Sequence, residues 1–117
     1  MTELIAFLST GKGTWANVSG LIKGESWDKV YLLTNDFGKE KFTAEENTEL
    51  IVINSNANPE ELRDEITGIL KEKVKDEIAV NFISGSGKEH MALISALMKS
   101  GVGFRFVVQA DEGIKEL

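Results

Sequence analysis

The stretch that decides the fold runs from residue 78 to residue 108 and reads IAVNFISGSGKEHMALISALMKSGVGFRFVV. Its pattern predicts a strand, a glycine-rich turn, an apolar helix and a second strand, over residues 78–83, 84–88, 89–99 and 104–108. A glycine turn between a buried strand and a helix gathers backbone N–H groups at the helix N-terminus, and this arrangement attracts anions, phosphates above all. Lys88 adds a mobile positive charge, so this turn is a candidate ligand site.

Strands and helices also alternate through the preceding part of the chain. Apolar runs predict three strands, over residues 4–8, 29–34 and 49–53. Two residues of the type that caps helix N-termini, Thr14 and Asn58, predict the starts of two helices. Pro59 strengthens the second of these starts, because proline is well accommodated at the first helical position.

The remaining segments are connections and ends. Over residues 35–47, the capping-box spacing of Thr43 and Glu46 favours one helical turn, and a hairpin loop is the alternative. We expect a short crossover there, joining parallel strands. Gly101 should end the last helix in the left-handed conformation, and residues 111–117 should form a short polar tail.

Strands alternating with helices predict an α/β fold, here a three-layer Rossmann-like sandwich with a five-stranded, mainly parallel sheet. The 117 residues should form a single domain, 1–117. Right-handed crossovers favour the strand order 3-2-1-4-5, in which the chain changes direction between strands one and four. Ligands of open α/β sheets bind outside the carboxyl ends of the strands at such a switch point. The two glycine-lysine turns, at 9–14 and 84–88, follow these strands and should border one crevice.

The composition of the chain excludes several classes of function. Hydrophobic residues make up 42% of the chain and charged residues 27%, as in ordinary globular proteins. The net charge of −6 opposes non-specific binding to long DNA or RNA, although a small anion in a locally positive pocket is compatible with it. The absence of cysteine excludes disulfides and thiol catalysis, and a single histidine disfavours zinc, so we expect no metal and no cofactor. No apolar run reaches membrane-spanning length and the N-terminus lacks a basic leader region, so we expect a cytoplasmic protein.

The first turn allows a second interpretation. Gly11, Gly13 and Ala16 fit the G-x-G-x-x-G/A dinucleotide pattern, and Asp36 lies where an acid would meet a ribose. A plain turn into an amphipathic helix explains the same residues. The pattern therefore keeps NAD or nucleotide binding open without requiring it.

The second turn is not a P-loop. That motif needs a glycine where Phe82 stands and a Ser or Thr where Glu89 stands, so we do not predict NTP hydrolysis. A solvated loop is its structural alternative. His90, one turn into the helix, is interpreted as a surface or packing residue, and Trp27, Phe37 and Phe42 as packing residues. The last helix is apolar on more than one stripe, which indicates burial or contact with a second subunit.

Residues 84–93, which read SGSGKEHMAL, resemble the CARF (CRISPR-associated Rossmann fold) domain. That family carries a T/S-G-G-T-K-like turn between the fourth strand and a helix rich in Met, Ala and Leu. Residues 28–34 also look like the family's second strand, and the turn after strand one matches its other ligand-facing segment in place. The family's helix between strands two and three is nearly absent from the pattern. The chain leaves no room for a fused effector domain, so we expect a stand-alone relative.

The resemblance implies a homodimer that binds a cyclic oligoadenylate, or a related nucleotide, across its two-fold axis. The implied ligand residues are Thr10, Gly11, Ser84, Gly85, Ser86, Gly87 and Lys88, and the rest of the first turn, Lys12, Gly13 and Thr14, shares their crevice. Some relatives cleave the ring without a metal, which here would involve Ser9 or Thr10 together with Lys88. Lys88 would then stabilise charge on a phosphoryl oxygen while a ribose 2′-hydroxyl attacks. A metal-independent ring nuclease, an NAD- or nucleotide-binding module and a protein-interaction scaffold are the alternatives to a pure nucleotide binder.

Overall fold

Strands and helices alternate up to the last two strands of the structure, a computed structural model that describes residues 2–8 and 12–117. The strands are β1 (Glu3–Phe7), β2 (Lys29–Thr34), β3 (Thr48–Val52), β4 (Ile78–Asn81), β5 (Phe104–Ala110) and β6 (Gly113–Glu116). The helices are α1 (Trp15–Lys23), which follows a 3₁₀ turn over Lys12–Thr14, α2 (Asp36–Lys41), α3 (Pro59–Lys73) and α4 (Gly87–Ser100). No helix in these ranges is long and apolar enough to cross a membrane.

The strands form one sheet in the order β3-β2-β1-β4-β5-β6. The first five are parallel, and Ile5 at the centre of β1 pairs with Tyr31 on one side and Val80 on the other. The predicted α/β class and the order 3-2-1-4-5 are therefore confirmed, but the sheet has six strands where five were predicted. Because β1 lies beside β4, the switch point is where the sequence placed it.

The polar tail predicted for residues 111–117 is wrong, since β6 pairs with β5 in antiparallel register, Val108 opposite Lys115. Gly113 has a φ of 117°, a conformation that glycine adopts without steric cost and that lets the chain reverse tightly. Ile114 then packs against the core while its neighbour Lys115 is exposed. This alternation is that of a half-buried edge strand.

Two apolar layers cover the sheet, because successive side chains of a strand point to opposite faces. Ile5 and Phe7 belong to a buried cluster formed with α3 and α4. Leu4, Ala6 and Leu8 belong to a second buried cluster, formed with α1. The apolar run of β1 is thus buried on both faces, as expected for the central strand of a three-layer sandwich.

The helix ends confirm two predictions and correct two others. Asn58 forms a complete capping box with Glu61 at the start of α3, and Gly101 ends α4 with a φ of 72°. Thr14 precedes α1, but its side chain makes no capping hydrogen bond. In the connection between β2 and β3, the helix starts early because the side chain of Asn35 accepts a hydrogen bond from the backbone N–H of Gly38, 2.9 Å away. The connection is a crossover, as expected, and the hairpin alternative is wrong.

Candidate functional site

The first and second turns meet at the carboxyl edge of the sheet, where β1 and β4 end side by side. The hydroxyl of Thr14 donates a hydrogen bond of 2.9 Å to Oγ of Ser84, although the residues are 70 positions apart. Ser84 is buried at 3% exposure, and this contact joins the two turns directly. The predicted convergence of the two turns is thus present in the backbone and in one direct side-chain contact.

The described part of the first turn is short. Ser9, Thr10 and Gly11, predicted as ligand or catalytic residues, lie outside the described residues. The backbone of Lys12 opens the 3₁₀ turn, and Gly13 is exposed within it. No described atom lies within 4 Å of a Cβ built on Gly13, so the space beside it is open.

Gly85 packs tightly against the end of β1. Its φ is 104°, and a Cβ built on it would lie 2.9 Å from both Cβ of Phe7 and Nε2 of His90. Side chains other than glycine rarely adopt this conformation, and real Cβ atoms essentially never come so close to other heavy atoms. Gly85 therefore has a structural role, because it lets the backbone turn where a larger residue would not fit. Its contact with Phe7 fixes the position of the second turn over β1.

Ser86 is the N-cap of α4, which begins at Gly87 and not, as expected, after Lys88. Its hydroxyl accepts a hydrogen bond from the N–H of Glu89, and the Glu89 carboxylate accepts one of 2.7 Å from the N–H of Ser86. Ser86 and Glu89 have the S-x-x-E spacing of a capping box in the sequence. The N–H groups of Gly87 and Lys88, in the first turn of α4, have no acceptor within the helix.

Lys88 reaches away from the sheet toward the loop between β3 and α3. Its ammonium group donates to the carbonyl oxygens of Ser55 and Ala57, at 2.7 and 2.8 Å. An ammonium group has three N–H donors, so one remains for a ligand. Lys88 therefore ties this loop to the start of α4.

His90 holds the second turn in shape, a structural role that the sequence did not indicate. Its ring stacks on Phe82, with centroids 4.3 Å apart and planes within 6°. Nε2 lies 2.8 Å from the carbonyl oxygen of Ser84, which can only accept, so Nε2 carries the proton. Packing was predicted and is confirmed, but the hydrogen bond that holds the second turn in shape had no signal in the local pattern.

Buried polar groups fix the exit of β4 in the same way. The side chain of Asn81, 6% exposed, donates to the carbonyl of Val107 at 2.8 Å and accepts from the N–H of Ile83 at 2.9 Å. A buried amide that satisfies two backbone groups holds the turn rigidly, because losing either bond would leave an unpaired polar group inside the protein. The second turn is thus pre-organised before any ligand arrives.

The aromatic residues near the first turn pack together, as predicted. Trp15, at the start of α1, contacts the ring of Phe37 with centroids 6.0 Å apart, and the ring of Phe42 edge-on at 5.6 Å. Within the ranges that the structure describes, no three His, Asp or Glu side chains are grouped so that they could hold a metal ion. The described site is therefore built of backbone groups, hydroxyls, one ammonium, the Glu89 carboxylate, the Asn81 amide and aromatic rings.

No family model matches the chain, and no curated protein gives a significant sequence match. The resemblance to the CARF domain therefore stays a prediction.

Proposed function

We propose that the protein binds a small nucleotide, of the cyclic oligoadenylate type that the family resemblance implies, in the crevice between the first and second turns. The observation that carries the proposal is the contact of Thr14 with Ser84 at the switch point of the sheet. Open α/β sheets bind their ligands at this place, because helix N-termini and loop N–H groups converge there. Here two turns distant in sequence supply both walls.

Three features of the crevice favour a phosphate group. The N–H groups of Gly87 and Lys88 open a helix, whose N-terminal end carries a partial positive charge. Gly87 is exposed and has no described atom within 4 Å of a built Cβ, so a phosphate can approach the backbone closely. The remaining N–H of the Lys88 ammonium adds a full positive charge. These groups supply local attraction on a protein whose net charge is −6.

The state of Lys88 supports binding more directly than cleavage. A lysine that stabilises a reacting phosphoryl oxygen has to present its ammonium to that atom. In the structure two of its three donors are held by the loop between β3 and α3. We therefore propose a binding function for the described site and derive no cleavage step.

The test is a variant that adds a negative charge at position 87 without disturbing the fold. Gly87→Asp puts a carboxylate into open space at the first turn of α4, where an acid suits the helix dipole. Gly87→Asn is the matched control, with the same shape and no charge. Two like charges about 4 Å apart repel by about 1 kcal/mol in bulk water and by about 4 kcal/mol near a protein surface. Gly87→Asp should therefore weaken binding by about tenfold or more.

The measurement is isothermal titration with cyclic oligoadenylates of several ring sizes, with NAD as the competing ligand class. We expect the wild type and Gly87→Asn to bind one ring size alike, and Gly87→Asp to bind it weakly. The proposal fails if no nucleotide binds the wild type, or if Gly87→Asp binds as well as Gly87→Asn. Binding of NAD alone would select the dinucleotide alternative.

We also propose that the protein is a homodimer, and an apolar groove between α3 and α4 supports this. Met91 and Met98 line it at 63% and 70% exposure, which is unusual for side chains of this size. Glu60 and Arg63 stand on the opposite wall, so the surface carries both signs of charge and can pair with itself about a two-fold axis. Native mass spectrometry of the double variant Met91→Gln/Met98→Gln should show monomer where the wild type and Lys99→Gln show dimer. A wild-type monomer at micromolar concentration would contradict this.

A further inference from the structure

A second cavity, of about 580 Å³, opens on the same edge of the sheet, at the carboxyl ends of β2 and β3. We name it the β2–β3 cavity, and its lining includes Asp36, Phe37, Val52, Asn54, Ser55 and Asn56. Its volume is within the range of small-molecule sites. None of its lining residues belongs to the first or second turn, so the proposed phosphate site does not account for it.

Two apolar side chains form part of the wall of the β2–β3 cavity. Phe37 and Val52 are large apolar side chains that remain 37% and 36% exposed here. Trp15 supports the Phe37 ring, with centroids 6.0 Å apart and planes inclined by 47°. An exposed ring held in place by a second ring is a platform on which a flat heterocycle can stack.

The rim of the β2–β3 cavity is polar and carries both donors and acceptors. Asn54 and Asn56 each have a side-chain amide, and the edges of nucleobases need donors and acceptors of this kind. The carboxylate of Asp36 can accept hydrogen bonds from sugar hydroxyls. The loop that carries these amides is ordered by its own bonds: Oδ1 of Asn54 accepts from the N–H of Asn56, and Glu65 accepts from the N–H of Asn54.

Lys88 connects the loop that borders the β2–β3 cavity to the start of α4. Its ammonium donates to the carbonyl of Ser55, a residue that lines the cavity, while its backbone opens α4 at the crevice. Neighbouring strands lie about 4.8 Å apart, so the gap between β2 and β3 is about 10 Å from the gap between β1 and β4. Phosphate and base subsites joined by a sugar can occupy two positions so spaced.

From this geometry we propose that the β2–β3 cavity holds the base and sugar of the nucleotide whose phosphate lies in the crevice, with the base stacked on Phe37. The ligand class is a nucleotide unit, either free or within a ring. The inference deepens the proposed function and rests on it for the position of the phosphate. Lys88 then serves both subsites, since it fixes the cavity loop and places its charge between base and phosphate.

The experiment compares adenosine, adenosine monophosphate and inorganic pyrophosphate as ligands of the full chain by isothermal titration. Phe37→Leu removes the ring but keeps an apolar side chain, and Phe37→Tyr restores a ring. Phe42→Leu is the matched control, because Phe42 also contacts the ring of Trp15 but does not line the β2–β3 cavity. A thermal melt of each variant confirms that it is folded.

We expect Phe37→Leu to weaken binding of adenosine monophosphate by about tenfold, while Phe37→Tyr and Phe42→Leu bind it as the wild type does. Pyrophosphate affinity should not change in any of the three variants. If Phe37→Leu weakens the nucleotide no more than Phe42→Leu does, the base subsite is refuted while the phosphate site stands. If pyrophosphate fails to bind but adenosine binds in a Phe37-dependent way, the phosphate site is refuted and the base subsite stands. If none of the three ligands binds the wild type, both proposals are refuted.

Discussion

Two glycines of the second turn, two positions apart, should respond in opposite directions to the same substitution. Gly85→Ala forces a side chain into a φ of 104°, which costs about 1–3 kcal/mol. Its Cβ also meets Phe7 and His90 at 2.9 Å, and such overpacking costs about 1–3 kcal/mol more. The free energy of unfolding should therefore fall by about 2–6 kcal/mol, a large share of the 5–15 kcal/mol that is usual for a domain.

Gly87→Ala should instead raise the free energy of unfolding. Its Cβ enters open space at the first position of α4, and the unfolded chain loses freedom, which stabilises the fold by about 0.4–1 kcal/mol. Urea denaturation followed by circular dichroism measures both variants, and equal slopes with urea concentration show that the unfolded states are comparable. The reasoning is refuted if the two variants differ by less than about 1 kcal/mol, or if Gly85→Ala is the more stable.

Two further predictions concern the rest of the fold. Burial, and secondly the nearby Glu3 carboxylate, raises the pKa of Tyr31 to about 12. Tyr31 is the only tyrosine of the chain, so its phenolate absorbance can be followed directly. This absorbance should appear near pH 12 in the folded protein and near pH 10 in urea. Since the folded pKa is above the unfolded one, the contribution of Tyr31 to stability is present below pH 10 and is lost between about pH 10 and 12; a Tyr31→Phe variant with the same alkaline loss would contradict this. Gly38→Ala should lower the thermal midpoint, because its Cβ collides with the Thr34 hydroxyl. Gly68→Ala places its Cβ in open space within α3 and should raise the free energy of unfolding by up to about 1 kcal/mol. Equal thermal midpoints for the two variants would count against the packing described.

The central strands could be predicted from the sequence because burial on both faces leaves a continuous apolar run. β1 and β4 are such runs, and their adjacency follows from the handedness of the crossovers. β6 could not be predicted in the same way, since an edge strand of four residues with two charged side chains has the composition of a solvated tail. Its pairing depends on the positive φ of Gly113, which the sequence permits but does not require.

In the candidate site, the local contacts could be predicted from the sequence and the distant contacts could not. The Ser86–Glu89 capping box is a local pattern and could have been found from spacing alone. Lys88 instead bonds residues 31 and 33 positions away, and Thr14 bonds one 70 positions away. Such contacts follow from how the layers pack, so the sequence predicts which residues lie near the crevice but not what their side chains bind.

The hydrogen bonds that these side chains make within the protein decide which variants can test ligand binding. In the described part of the crevice, the Ser84 hydroxyl bonds Thr14, the Ser86 hydroxyl caps α4, and Lys88 holds the loop at residues 55–57. Lys88→Ala would therefore release that loop as well as remove a charge, and a loss of binding would have two explanations. Gly87→Asp removes no contact and adds one charge at the helix N-terminus, so it separates the attraction of a phosphate from the integrity of the fold. Since the side chains of the proposed site are largely engaged with the protein, we expect it to bind a ligand through the backbone, and the glycines are where this expectation can be tested.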